Sequence, residues 1–324
     1  MIVTRVIRDE GATSALRRTR ERIREAIDDA RFFSARHAPI VNVAPGGTGS
    51  RTGGVAVQLR ARLRQEWAFR PVRLTDTVVA AKAIHFEGAG AVADVPYIVS
   101  LHDLTQVGNR EFLNRAVAVT FASRYLRDRY QISGEIIAPG LCVAPASGVA
   151  LAPSPARTRA IAFAGAVQAH KGGHLLPAIA DALRKRGETL HVFGRGDGNL
   201  LRALRAMNNV RVHGYYQAGT LPRLLRRHGI GLVLVPSIVP EAFCLTISEA
   251  WAAGAAVAAF DIGAQGERIR EQGGGWVVPL ASGTEGLVEI IDRWAPVEIP
   301  KEIPTASDAA RAYIGLYRRL GWLG

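Results

Sequence analysis

Lysine is nearly missing from this chain: 37 of its 41 cationic residues are arginine. Cysteine is scarcer still. Cys142 and Cys244 are the pair present, and two cysteines build neither a disulfide framework nor a zinc pattern, so a reduced, cytoplasmic setting is expected. Long apolar runs are lacking as well. "IGLVLVPSIVPEAF" is the longest candidate; it is shorter than the ~18 residues a membrane-crossing helix needs, and two prolines break it. The opening "MIVTRVIRDEGATS" has no apolar core and no small-residue cleavage site, so no secretory leader is expected. Asp-x-Asp does not occur, so no metal-bridged diphosphate is expected and the metal and cofactor assignment is none.

A concentrated basic patch is also lacking, although the formal net charge is +13. Residues 1–152 carry 21 Lys+Arg against 14 Asp+Glu, and residues 153–324 carry 20 against 14. An excess spread this evenly, with no basic tail and no interleaved aromatics, argues against a nucleic-acid stripe. A diffuse positive field does favour phosphorylated ligands and anionic membrane surfaces. Peripheral contact with an inner membrane face is therefore an expectation, and an arginine-driven nucleic-acid binder is the most distant alternative.

What is there is a core. Hydrophobic residues make up 48% and charged residues 21% of 324 positions, enough for two domains of ordinary size. Short apolar runs alternate with helical stretches, the signature of βαβ units and parallel sheets. The first half offers strands at 40–44, 83–86, 97–102, 117–122 and 135–138. The second offers 161–167, 190–194, 210–214, 230–236, 256–260 and 275–279. The expected fold is α/β, with two Rossmann-like doubly wound domains facing across a cleft. Four prolines within 138–157 mark a linker. The domains are accordingly 1–152, preceded by an amphipathic helix over 14–36, and 153–305, with a closing helix over 306–324 that packs back on the first domain.

Several stretches could carry chemistry. The glycine-rich "PGGTGSRTGG" (45–54) comes after a strand and precedes a helix, so its amides could approach an anion; it could equally be an ordinary turn. "SLHD" (100–103) places His102 at the carboxyl end of an apolar strand, facing a cleft or bonded to backbone, with Asp103 able to fix its tautomer or to cap the next segment. "FAGAVQAHKGG" sets Lys171 at a helix start, as a phosphate site or as a solvated turn. "PEAFCLTISEA" puts Glu241 where a buried strand opens into the cleft, and Glu249 about one turn into the next helix. They are either a capping acid and a solvated charge, or two acceptors for the hydroxyls of one bound sugar nucleotide. In the second case the amides of Phe243, Cys244 and Leu245 lie at the helix N-terminus beside it.

Residues 158–280 resemble the nucleotide-binding domain of the retaining GT-B glycosyltransferases, the family-4 group. The resemblance runs in order through "IAFAGAVQAHKGG", "LHVFGRGDG", "NVRVHGYY" and the E-x7-E block with its succeeding Gly-Ala…Glu loop. "GGVAVQL" and "YIVSLHD" resemble the first domain more loosely. The resemblance implies a retaining, metal-independent glycosyltransferase of hexosyltransferase type, moving a sugar from a nucleotide-diphosphate donor to a glycan, lipid-linked or small-molecule acceptor in polysaccharide biosynthesis. It implies that Lys171 binds the diphosphate, Glu241 the transferring sugar and Glu249 the ribose. It further implies that His102 lies over the sugar, and that Gly53, Gly54 and Gly165 approach the phosphates. His102, Glu241 and Lys171 are the catalytic expectations. Two departures stand out: Ala166 occupies the place of the family's second phosphate cation, with Arg51 or Arg195 as substitutes, and Ala242-Phe243-Cys244 replaces a glycine-rich turn. A weakly active or non-catalytic sugar-nucleotide binder is the alternative, and an epimerase of the same fold a further one.

Overall fold

The computed structural model describes residues 40–43, 72–75, 83–88, 92–104, 110–141 and 160–323. The helix expected over 14–36, the loop 45–54 with Arg51, Gly53 and Gly54, and residues 142–157 of the linker lie outside them.

The described residues form two sheets, each six-stranded and parallel throughout. The first comprises β1 (Ile40–Val43), β2 (Val72–Thr75), β3 (Ala83–Glu87), β4 (Tyr97–Leu101), β5 (Ala118–Phe121) and β6 (Glu135–Ile136), in the order β2-β1-β3-β4-β5-β6. The helices α1 (Arg110–Asn114) and α2 (Arg124–Tyr130) are interspersed. β2 has no counterpart among the strands expected from the sequence. Its four residues, VRLT, include an arginine and occupy the sheet edge, where no continuous apolar run is required.

The second sheet contains β7 (Ala160–Ala164), β8 (Leu190–Phe193), β9 (Val210–Gly214), β10 (Ile230–Val235), β11 (Ala256–Phe260) and β12 (Gly275–Val278). Its helices are α3 (Leu176–Arg184), α4 (Gly198–Ala206), α5 (Leu221–Arg227), α6 (Leu245–Ala253), α7 (Gly263–Gln272) and α8 (Gly283–Arg293). The strand order β12-β11-β10-β7-β8-β9 reverses between β7 and β10. In doubly wound sheets the crevice for a ligand opens at such a reversal, outside the carboxyl ends of the strands. β10 and β11 are buried at every position and carry no charge, as strands covered on both faces must be. α3 buries Leu176, Ile179, Ala180 and Leu183, a spacing that lines one helical face.

α6 differs. Seven of its nine residues, Ile247 through Ala253, are buried, so it has core on nearly every side. Glu249 is the charged residue in that set.

The lobes are joined by packing as well as by the chain. α9 (Ala306–Arg319) begins with a Thr305–Asp308 capping box and lays Ala309, Ala310, Tyr313, Leu316 and Tyr317 against Ile40, Ala83, Ile98 and Ile137 of the first lobe. At the return crossing, Leu141 N donates to Pro304 O and Ala306 N donates to Leu141 O. Phe243 leaves the second lobe and is buried in the first lobe's aromatic cluster with Phe86, Tyr97 and Phe112. Arg124 pairs with Glu271 at 3.1 Å, and Glu267 accepts from the Arg124 and Tyr125 amides at the start of α2. No helix among the described residues is long and apolar enough to cross a membrane.

Candidate functional site

A pocket of about 190 Å³ opens at the β7/β10 reversal. Its walls are the segments leaving the strand ends: Gly165, Ala166 and Lys171 after β7, Pro236, Ser237 and Glu241 after β10, and Cys244, Leu245 and Thr246 at the start of α6. Lys171 closes a short 3-10 turn, Ala169–Lys171, ended by Gly172 in the left-handed region (φ 76°). A Cβ at Gly172 would collide with the Pro236 carbonyl, so the Lys171 turn reaches the β10 loop only because this residue is glycine. Gly165 has φ 133° and faces open space, leaving the backbone of this wall uncovered.

Lys171 Nζ donates to Glu241 Oε1 at 2.6 Å, forming a partly exposed ion pair. Glu241 is held from behind by Gln265, which lies within the Gly-Ala…Glu loop but is not among the residues the sequence singles out there. Gln265 is fully buried; its Oε1 accepts from Glu241 N at 2.8 Å and its Nε2 donates to Val239 O at 3.1 Å. Ala264 N donates to Glu241 O, completing the clamp. A buried glutamine between two backbone segments leaves no periodic signal, so only the fold reveals it.

The α6 N-terminus departs from expectation. The helix starts at Leu245, with Cys244 as N-cap in a left-handed conformation (φ 64°, ψ 77°). Cys244, Leu245 and Thr246 line the pocket, whereas Phe243 does not, because its ring belongs to the first lobe's core. Burial pushes the Cys244 thiol up to about 12, so it is not a nucleophile at neutral pH. Arg268 fixes this turn: its guanidinium donates to the Phe243 and Cys244 carbonyls and to Ser248 Oγ, and lies 4.0 Å over the Phe243 ring.

Glu249 lies four residues beyond Leu245, on the same helix face, next to the pocket but outside its lining. Its carboxylate accepts from Gly219 N–H in the segment leading to α5, and burial pushes its pKa up to about 7. Tyr216 is near enough for Glu249 to raise its pKa, behind the larger effect of burial. Glu241 thus sits in the loop before α6 and Glu249 within the helix, with Tyr216 and Gly219 beside the second.

His102 is turned inward. Its side chain is 2% exposed, and Nε2 lies 2.6 Å from Glu87 Oε2. The carboxylate on that ring is therefore Glu87 of β3. His102 is not among the pocket's lining residues. Ala166 is exposed at the pocket wall, and Lys171 is the cation among the described lining residues. Arg195 instead sits over the Tyr215 ring at 5.0 Å.

No match is found among curated protein sequences. Among solved structures, a glycosyltransferase from Rickettsia africae ESF-5 superposes with TM-score 0.59 at 15% identity, over 88% of this chain and 99% of that one. AviGT4, a glycosyltransferase involved in avilamycin A biosynthesis, gives TM-score 0.59 at 18% identity, over 86% and 97%. Anabaena Alr3699/HepE, in complex with UDP-glucose, gives 0.57 at 16% identity, over 87% and 98%. At such identities the likeness is one of fold. The chain has the two-lobed GT-B fold of these glycosyltransferases, and residues 158–295 match the family model described as glycosyl transferases group 1.

Proposed function

We propose that this protein transfers a sugar from a nucleotide-diphosphate donor to an acceptor hydroxyl with retention of configuration, without a metal at the donor site. The observation that carries the reading is the convergence of Lys171, Glu241 and the α6 N-terminus on one pocket at the β7/β10 reversal. A diphosphate entering there displaces the Glu241 carboxylate as the anion facing Lys171. The amides at the start of α6 add the positive end of the helix dipole. Both stabilise charge that grows on the leaving phosphate, which is the largest contribution such a site can make. Glu241, released, accepts from hydroxyls of the transferring sugar, and Glu249 accepts from the ribose. Each such charge-assisted bond contributes about 1.5–3 kcal/mol.

In the same-face displacement, the departing phosphate oxygen takes the acceptor proton, so no protein base is required. The Glu87–His102 pair is buried and lies outside the pocket lining, so it is assigned no contact with the sugar. The acceptor class is a glycan or lipid-linked sugar, and the diffuse positive charge suits work beside an anionic membrane face.

Ala166 favours a second reading, a slow or non-catalytic sugar-nucleotide binder, because among the described lining residues Lys171 is then the one cation for the leaving group. UDP-, GDP-, ADP- and dTDP-sugars in a thermal-shift screen identify the donor; at a hundredfold its dissociation constant it stabilises by about 2.7 kcal/mol. With that donor, Lys171→Ala and Glu241→Ala are expected to lower donor turnover roughly 10²–10³-fold. Donor binding without turnover in the unsubstituted protein selects the binder, and turnover unaffected by either substitution refutes the site.

A further inference from the structure

Away from the donor pocket, three histidines meet on one side of the second sheet. His191 comes from β8, His213 from the edge strand β9, and His228 from the C-cap of α5, two residues before β10 begins. The pocket lies past the opposite end of β10, and none of the three lines it. One ligand nitrogen from each ring lies within 4.8 Å of the others, and His191 Nδ1 is 3.0 Å from His213 Nε2.

We propose that His191, His213 and His228 form a three-histidine site for a divalent first-row transition ion of the zinc class. The ion clips the edge strand and the end of α5 onto β8. A tetrahedral ion bonded to nitrogen at about 2.0–2.1 Å holds its ligands roughly 3.3 Å apart, within reach of small ring rotations here. The rings are pre-oriented. His213 stacks on Phe193 at 4.3 Å and 7°, and His228 packs on His213 at 4.4 Å.

The charge state suits ligation too. Burial, the neighbouring rings and Arg211 hold His191 at about 4 and His213 below its ordinary value, so both are neutral imidazoles with a lone pair to give. Arg211, beside His191 in the strand register, is the cation facing the cluster. Its charge and the neutral donor set make affinity rest on imidazole bonding, which orders the ions copper above nickel and zinc. His213 is exposed, which leaves the fourth position to water. A clip here stiffens α5 and the segment before it, whose Gly219 amide holds Glu249.

Untagged, chelator-stripped full-length protein titrated with cobalt(II) and then zinc(II) tests this. One equivalent of cobalt(II) is expected, with tetrahedral visible absorption bleached by zinc and a zinc dissociation constant in the micromolar range or tighter. His213→Ala, at an exposed position, and His228→Gln should each weaken binding about tenfold or more. His174→Ala, an exposed histidine elsewhere, should leave binding unchanged. The proposal is overturned by absence of a one-equivalent site, by binding that survives both substitutions, or by equal loss in His174→Ala. The three rings are then an aromatic stack with Phe193.

Discussion

A carboxyl buried in α6 has a definite pH signature. Glu249 titrates at about 7 in the folded chain, against 4.5 when exposed. Between those values the folded state keeps a proton that the unfolded chain has lost, so stability falls as pH rises through the window and is flat above it. Glu249→Gln removes that loss. The variant should be more stable than the parent at pH 8, by up to about 3 kcal/mol, and the two should converge near pH 4.5 in denaturant midpoints. If ribose hydroxyls donate to this carboxylate, donor affinity rises with pH through 7 in the parent and is flat in the variant; the opposite slope refutes the ribose role. Gln265 acts at one remove, through Glu241 and Val239. Gln265→Leu takes the partner from the Glu241 N–H, while Val239 O keeps Ser237 Oγ, at a cost of about 1–3 kcal/mol. Its donor KM should rise well before its kcat falls, a split that a merely destabilised core would not give.

The elements around the pocket depend on two left-handed residues. Gly172 could not carry a side chain without striking Pro236 O. Gly172→Ala is expected to lose roughly 2 kcal/mol or more and to move Lys171 off Glu241, read as a lower melting temperature together with lost donor binding. Cys244 shows the reverse case, a non-glycine residue at φ 64°. A left-handed L-residue costs roughly 1–2 kcal/mol, so Cys244→Gly should be close to neutral despite loss of the buried thiol. Cys244→Val, β-branched at that φ, should be clearly destabilised; equal stability of the two variants would show that the turn is unstrained. Eleven strands can be read from the sequence, most as apolar runs bounded by turn residues and the edge strand β9 by its alternating Val210 and Val212 ending at Gly214. β2, four edge residues with Arg73 among them, is too short and too polar for either signal.

For the whole molecule, the decisive element is α9, which starts beside the second lobe and packs on the first. It brings Tyr313 and Tyr317 into a buried polar network. Tyr313 Oη bonds Ser100 Oγ at 2.8 Å and Thr120 Oγ1 at 3.2 Å, while His85 bonds Tyr317 Oη and Ser100 Oγ. Burial keeps His85 at about 4, hence neutral. Glu87 joins this network to His102, so the closing helix is linked to that buried histidine. Tyr313→Phe removes its two bonds while Ser100 keeps Thr120 and His85, so it is expected to cost about 0.5–1.5 kcal/mol, measured by urea denaturation. A change within a few tenths would mean that the network reforms without it.

The sequence by itself determined the succession of strands and helices along the chain, the α/β class and the residues nearest the reversal point. Apolar periodicity and glycine placement are local, and the reversal comes from them by topology. Only the tertiary structure decided which groups meet. Lys171 on Glu241, Gln265 behind it, Glu87 on His102, Phe243 in the other lobe and three histidines at one point are contacts between residues far apart in the chain. Their separations carry no periodicity, and they exist only once the sheets have been assembled.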